Sequence, residues 1–297
     1  MGDQSLIEWT DATWNPIRGC SRVSEGCRNC YAERIAARFS KLGQPYEGLA
    51  AHTSSHEPRW TGEVRFIKEA LDLPLRWKRP RRIFVNSMSD LFYEKVAASW
   101  IVAIFEVMRR CPQHTFQVLT KRPERMRDWM NVSEHGAPRP NIWLGVSVED
   151  QATADERIPL LLETPAAVRF VSYEPALGPV AFFSQWHDWL AGWTTETEAD
   201  PRDGTPYPVQ VQIEKLDWLI VGGESGPAAR PFDLAWAHST IAQCRAAGTP
   251  VFCKQLGARP FDHAMPARPD GANPDWQQTW DLTLRDRKGG DWAEWPE

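Results

Sequence analysis

The chain has 297 residues, 34 basic and 39 acidic side chains, and a formal net charge of −5. That length suits one large α/β domain or two smaller ones, and no basic tail marks the chain as a general nucleic-acid binder. The opening stretch, MGDQSLIEWTDATW, is not a basic region followed by an apolar run, and no window approaches the roughly 18 apolar residues of a membrane span. No membrane association is expected, and the expected location is cytoplasmic, where clustered cysteines bind metal or do chemistry more often than they pair.

In chain order, Glu8–Arg18 contains a short first strand, Gly19 and Cys20 enter a loop, and Asn29–Leu42 continues as a helix. Tyr31, Ile35 and Phe39 recur at four-residue steps and are expected to be that helix's buried stripe. A long loop, Gly43–Gly62, carries His52 and His56 and can approach the cysteines. Short apolar runs then recur: Arg82–Asn86, Thr115–Leu119, Ile142–Val146, Val168–Val171, Trp218–Val221 and Pro250–Cys253. Each is apolar on both faces, as strands of a buried parallel sheet are. Between them lie helices at Ala97–Arg110, with Trp100, Ile104, Val107 and Met108 on one face, at Gln151–Glu163, and at Leu234–Ala247, capped by Asp233 and closed by Gly248. The alternation predicts a parallel α/β architecture, doubly wound or barrel-like.

The residues after each strand are polar: Ser87–Asp90, Thr120–Arg125, Ser147–Asp150, Ser172–Pro175, Gly222–Gly226, and Lys254 with Gln255. In both parallel architectures ligands bind at the carboxyl ends of the strands, so six polar ends in succession suggest a shared site. Turns and helix caps account for any one of them alone. Lys121, Arg122 and Lys254 suit a phosphate or carboxylate, and a solvated ion pair is the competing role of Arg122. Two basic runs, Arg76–Arg82 and Lys121–Arg127, with Trp77 and Trp129 beside them, permit a nucleic-acid substrate, although solvated surface charge on a net-acidic chain is the simpler account. The chain also holds 16 Trp; Trp186, Trp189, Trp193, Trp276, Trp280, Trp292 and Trp295 stand in polar settings and are read chiefly as packing under long loops.

Three of the six cysteines, Cys20, Cys27 and Cys30, form a C-x6-C-x2-C cluster. Their position between the first strand and a helix N-terminus favours an anionic centre. Three thiolates can hold three irons of a 4Fe–4S cluster and leave the fourth open, or supply three of the four ligands of a zinc ion. Zinc needs a fourth ligand, and no spacing nominates Cys253, His52 or His56 for it. Cys111, Cys244 and Cys253 read as buried small hydrophobes.

The segments IEWTDATWNPIRGC, GCRNCYAERIAARF, VNSMSDLF, LTKRPERM, NIWLGVSVED, VSYEPALGP, LIVGGESGPAARP and VFCKQLG extend from Ile7 to Gly257. On them the chain resembles a phage and bacterial family named after phage gene products thirty-seven and sixty-eight, the three-Cys-motif proteins, which in turn resembles radical S-adenosylmethionine enzymes. The resemblance implies a parallel (β/α) partial barrel of the radical-SAM type over 1–257, with a Trp-rich insertion at 181–214 and an irregular C-terminal extension at 258–297. It implies a 4Fe–4S cluster on Cys20, Cys27 and Cys30, and S-adenosylmethionine chelated by the open iron and cleaved to a 5′-deoxyadenosyl radical. Ser87, Ser89, Asp90 and the loop Gly222, Gly223, Glu224 and Ser225 would then lie near the cofactor, with Glu149 and Glu174 as ribose or substrate ligands and Lys254 as an anion ligand. Salt bridging or capping is the competing role of either glutamate. Such an enzyme needs an external electron donor and a substrate, for which a nucleic acid or nucleotide is the candidate; a zinc-binding, non-catalytic phage protein that binds nucleic acid is the alternative. The chain departs from the usual loop in having six residues rather than three between the first two cysteines, and Asn29 where an aromatic is expected before the last.

Overall fold

The computed structural model describes residues 5, 7–132, 137–262 and the backbone of 280–281. Seven strands carry it: β1 (Ala12–Trp14), β2 (Arg82–Val85), β3 (Thr115–Thr120), β4 (Ile142–Val148), β5 (Val168–Tyr173), β6 (Trp218–Gly222) and β7 (Val251–Gln255). They form one parallel sheet in which spatial order follows chain order. A doubly wound sheet reverses at a switch point, whereas barrel-type winding adds each strand beside the last. Consecutive order therefore decides between the two architectures left open by the sequence, in favour of barrel-type winding. The chain divides into two compact units, Met1–Ser147 with Thr164–Arg169, and Val148–Glu163 with Phe170–Glu297.

In the first unit, Trp14 at the end of β1 is fully buried, and its indole N–H donates to Ala70 O at 2.7 Å. Helix α1 (Tyr31–Arg38) follows the cysteine loop, α2 (Ala98–Arg110) follows β2, and α3 (Pro123–Met130) follows β3. In α2, Ile101, Ile104, Val107 and Met108 are buried, while Trp100 is half-buried and stacks on Phe66. Proline is free to start α3, since the first N–H of a helix has no internal partner.

The faces of α1 are the reverse of those expected from its sequence. Tyr31, Ile35 and Phe39 are exposed, and the buried residues are Ala32, Glu33, Ala36 and Ala37. The antiparallel pair Ala50–His52 and Pro58–Trp60, formed within the loop that carries His52 and His56, packs on the alanine face. Small side chains allow that close approach. Glu33 is tolerated there because Arg22 pairs with it and Trp60 N–H donates to its Oε1 at 2.8 Å. His52 and His56 themselves are exposed.

In the second unit, β5 and β6 are buried along almost their whole length. Helix α4 (Gln151–Leu162) begins with a capping box between Asp150 and Thr153. Helix α5 (Leu234–Ala247) is capped by Asp233 and closed by Gly248 in the left-handed conformation, as its sequence predicts. Strand β7 runs on to Gln255, so Lys254 and Gln255 end the strand instead of following it. Between β5 and β6 lies a three-stranded antiparallel sheet of His187–Asp188, Trp193–Ala199 and Pro206–Gln212. Trp189 is buried there and stacks on His187 at 4.1 Å, whereas Trp186 is exposed. Of the extension at 258–297, Pro260–Asp262 pairs with Phe232–Asp233 and with the backbone of Trp280–Asp281. The side chains of Trp276, Trp280, Trp292 and Trp295 lie outside the described residues.

Candidate functional site

The cysteine loop is built onto the sheet at the carboxyl ends of β1 to β3. Gly19 forms a parallel bridge with Ser89 of the loop after β2, at φ 96°, and a Cβ added there would come within 2.1 Å of Glu63 O. Only glycine fits. Ser89 donates its hydroxyl to Ile17 O at 3.1 Å, and Asn15 Oδ1 accepts from Met88 N–H at 3.0 Å and Ser87 Oγ–H at 3.2 Å. Asn86, in the left-handed region at φ 58°, accepts from Ile17 N–H. The serines named by the resemblance thus fasten the loop after β2 to the chain that leads into Cys20.

Asp90 is buried and accepts from Thr120 Oγ–H at 2.7 Å, Lys121 N–H at 3.1 Å, Phe92 N–H at 3.0 Å and Arg122 Nη1 at 3.1 Å. Arg122 is the hub. Its Nη2 donates to Ser21 O and Oγ, its Nε to Glu94, its Nη1 reaches Cys20 Sγ at 4.0 Å, and its guanidinium lies 4.5 Å over the Tyr93 ring. Only 11% of the side chain is exposed, so the solvated ion pair is not its role. Burial pushes the Cys20 thiol up to about 12, the charge of Asp90 adds to this, and Arg122 opposes it. Burial also raises Cys30, which stands at the N-cap of α1. Val23 N–H faces Cys27 Sγ at 3.5 Å. The three thiols are within electrostatic range of one another. Among the described residues no three His, Cys, Asp or Glu side chains are grouped so as to hold a metal ion.

The second unit assembles a separate polar group at the ends of β5 to β7. Glu174 Oε1 accepts from Lys254 Nζ at 2.7 Å and Gln255 Nε2 at 3.0 Å. A Cβ added at Gly222 would make only ordinary contact with the Glu174 carboxyl, 3.6 Å from its Cδ. Gly223 is required outright, because a Cβ there would meet Leu256 O at 2.2 Å. Glu149 and Glu224, expected to face a cofactor, are instead engaged from within the protein. Glu149 and Arg157 form an ion pair with both side chains only 1% exposed, and Glu224 is held by Arg230 through its backbone N–H, Nε and Nη2. Ser225 is half-buried in the following turn.

One family model matches residues 4–284, a span that includes all three cysteines and both polar groups. The chain belongs to DUF5131, a family of proteins of unknown function. No curated protein and no solved structure matches it.

In this DUF5131 chain the structure brings together Cys20, Cys27, Cys30, Ser87, Ser89 and Asp90 in the first unit, and Glu174, Gly222, Gly223 and Lys254 in the second. Cys111, Cys244 and Cys253 are buried, as expected. Sequence reasoning missed Asn15, Asn86, Tyr93 and Glu94; an asparagine beside each of two strand ends was the available signal for the first two. The two basic runs separate. Arg76–Arg82 leads into β2 at its amino end and Lys121–Arg127 leaves β3 at its carboxyl end, so in paired parallel strands they lie at opposite ends. Arg122 and Arg125 are moreover spent on Asp90, Glu94 and the carbonyls of Tyr93 and Val96.

Proposed function

We propose that Cys20, Cys27 and Cys30 hold an iron–sulfur cluster, and that this protein is a radical S-adenosylmethionine-type enzyme with a nucleotide or nucleic acid as the substrate class to test. One observation carries the reading: the three-cysteine loop is stitched to the carboxyl ends of three consecutive parallel strands through the Gly19–Ser89 bridge and Arg122. Ligand sites of parallel sheets lie at those ends. Compact local runs of cysteines are a ligand pattern of iron–sulfur clusters, whereas a structural zinc ion needs a fourth ligand beside the three thiolates. Held by Cys20, Cys27 and Cys30, such a cluster would supply one-electron reduction to a cofactor bound beside it.

The chain's own residues supply the surroundings. Arg122 places a fixed positive charge against Cys20 and offsets the negative charge of a thiolate there. Asp90, saturated by four donors, fixes Arg122 and contributes geometry rather than an open ligand. Cys30 at the start of α1 gains from the first-turn N–H groups. In the second unit the Glu174, Lys254 and Gln255 group offers both an acceptor and a cation to a polar ligand.

Anaerobic purification tests the assignment. A brown protein with about four irons per chain and sulfide-to-iron charge-transfer absorbance is expected. Cys27→Ala abolishes iron loading, and Cys253→Ala, at a buried thiol in β7, leaves it intact. Release of 5′-deoxyadenosine from S-adenosylmethionine on reduction completes the reading. A colourless protein with one zinc per chain refutes it.

A further inference from the structure

Three consecutive strands of the first unit are entered through basic residues. Arg76, Lys78, Arg79 and Arg81 lead into β2, Arg109 and Arg110 into β3, and Arg139 into β4. Parallel pairing sets these lead-ins side by side: Thr115 N–H donates to Arg81 O at 2.8 Å, and Phe116 N–H to Asn141 O at 2.8 Å. Neighbouring strands lie about 4.8 Å apart, so the cations span roughly 10 Å across the amino end of the sheet. Solvated surface charge accounts for any one of them, but not for their recurrence before three strands in a row.

The excess of positive charge holds when the surroundings are counted. The chain before β1, the helical turns Lys68–Leu71 and Leu73–Arg76, and α2 contribute the carboxylates Glu8, Asp11, Glu69, Asp72 and Glu106. Asp11 is held by Arg82, and Glu106 by Arg109. Arg76, Lys78, Arg79, Arg110 and Arg139 are exposed and make no ion pair among the described residues. Against them, with Lys68 besides, stand Glu8, Glu69 and Asp72. The face is positive on a chain whose net charge is −5. It carries charge rather than stacking platforms. Trp77 is half-buried, Arg81 lies 4.8 Å over its ring, and His114 meets it edge-on, so the indole mounts a guanidinium. Nor is any large hydrophobic side chain exposed between Leu73 and Arg82, as insertion into a lipid surface would need.

We propose that this amino-end face grips the phosphate backbone of a double-helical nucleic acid. Backbone binding needs placed cations and no base contact, whereas single strands are held largely by stacking on aromatic rings. The position of the face also bears on substrate class. Strand β2 has four residues, about 13 Å at roughly 3.3 Å per residue, and the cysteine loop is fastened at its far end. A mononucleotide held at the face does not reach the thiols, whereas a polymer extends from one end of the sheet to the other. The substrate class thereby narrows from nucleotide or nucleic acid to a polymer. That narrowing rests on the iron–sulfur reading above; the binding itself does not.

The test is fluorescence anisotropy of labelled duplex DNA, duplex RNA and a single strand, each titrated with the iron-free full chain across a range of salt. The variant Lys78→Gln with Arg79→Gln is compared with Lys41→Gln and Arg59→Gln, which remove the same charge from exposed sites outside this face. Circular dichroism checks the folding of both. Binding of at least one duplex is expected, with log affinity falling linearly against log salt. The first variant should flatten that slope by about 2, since each phosphate contact contributes about 0.9, and the second should leave it unchanged. Which duplex binds the tighter identifies the polymer. Absence of duplex binding at low salt, or equal weakening in both variants, overturns the proposal. So does tighter binding of the single strand, or a preference for phosphatidylserine vesicles that the first variant abolishes. Duplex binding by a chain that never loads iron would refute the iron–sulfur reading and leave the face supported. A chain that loads iron and binds no duplex would do the reverse.

Discussion

Arg122→Gln removes a group that touches Ser21 and Cys20 of the cysteine loop and Asp90 and the Tyr93 ring of the loop after β2. The guanidinium and the Asp90 carboxylate are 11% and 8% exposed, so this is a buried pair. Losing one member of such a pair costs about 3–5 kcal/mol, because the other charge stays behind without its partner. Asp90 keeps its bonds from Thr120, Lys121 and Phe92, which places the expected cost near the lower end, about 3 kcal/mol. For a chain of this size that is a fall in melting temperature of roughly 5 °C. Arg122→Lys keeps the charge and loses the planar fork that spans Asp90 and Ser21, so an intermediate loss is expected. The assay is urea and thermal unfolding of the iron-free protein for Arg122→Gln, Asp90→Asn and the double variant. The double variant should be clearly less destabilised than the two single losses added together. Additive losses, or an Arg122→Gln cost below about 1 kcal/mol, would mean a solvent-screened pair and would refute the account of Arg122 as the hub.

Glu149→Gln strands the Arg157 guanidinium in the interior and should cost about 3–5 kcal/mol, read from the urea midpoint, whereas replacing both residues by apolar ones of similar volume should recover most of the loss. His114, buried and bonded through Nε2 to Pro74 O, has its pKa lowered by burial. The unfolded chain therefore binds more protons there than the folded one. Stability present above the ordinary histidine value of about 6.5 is lost as pH falls from it through the lower folded value. A plot of unfolding free energy against pH should be flatter in that window for His114→Gln than for wild type.

The strands were legible because each is a short run that must be apolar on both faces to be buried in a parallel sheet, as Ile83–Val85 and Phe170–Tyr173 are. Strand order was not legible, since local patterning is the same in a doubly wound sheet and in one wound like a barrel. The faces of α1 were misread for a physical reason. A four-residue recurrence of Tyr31, Ile35 and Phe39 and one of Ala32, Ala36 and their neighbours fit the same helix, and hydrophobicity alone favours the larger residues. What decided the matter is the hairpin of Ala50–His52 and Pro58–Trp60, two three-residue strands with too little pattern to announce themselves, which approaches only a small-residue face.

The candidate site follows the same division between local and distant information. Cys20, Cys27 and Cys30 are close in sequence, so their grouping was visible, and so was the polar character of the strand ends. Whether a polar side chain there is an open ligand or an internal partner depends on residues far along the chain. Glu174 meets Lys254 across 80 positions and Arg122 meets Ser21 across 101. The resemblance places Glu149 and Glu224 beside a cofactor, yet each has an arginine within eight residues, Arg157 and Arg230, that claims its carboxylate. A buried carboxylate without a partner is costly enough that such a pairing is the default for a strand-end acid. Asp90 obeys that default as well. It differs in the company of its arginine, which extends past the carboxylate to Ser21 and the Cys20 thiol, and that reach makes this strand end part of the cysteine loop.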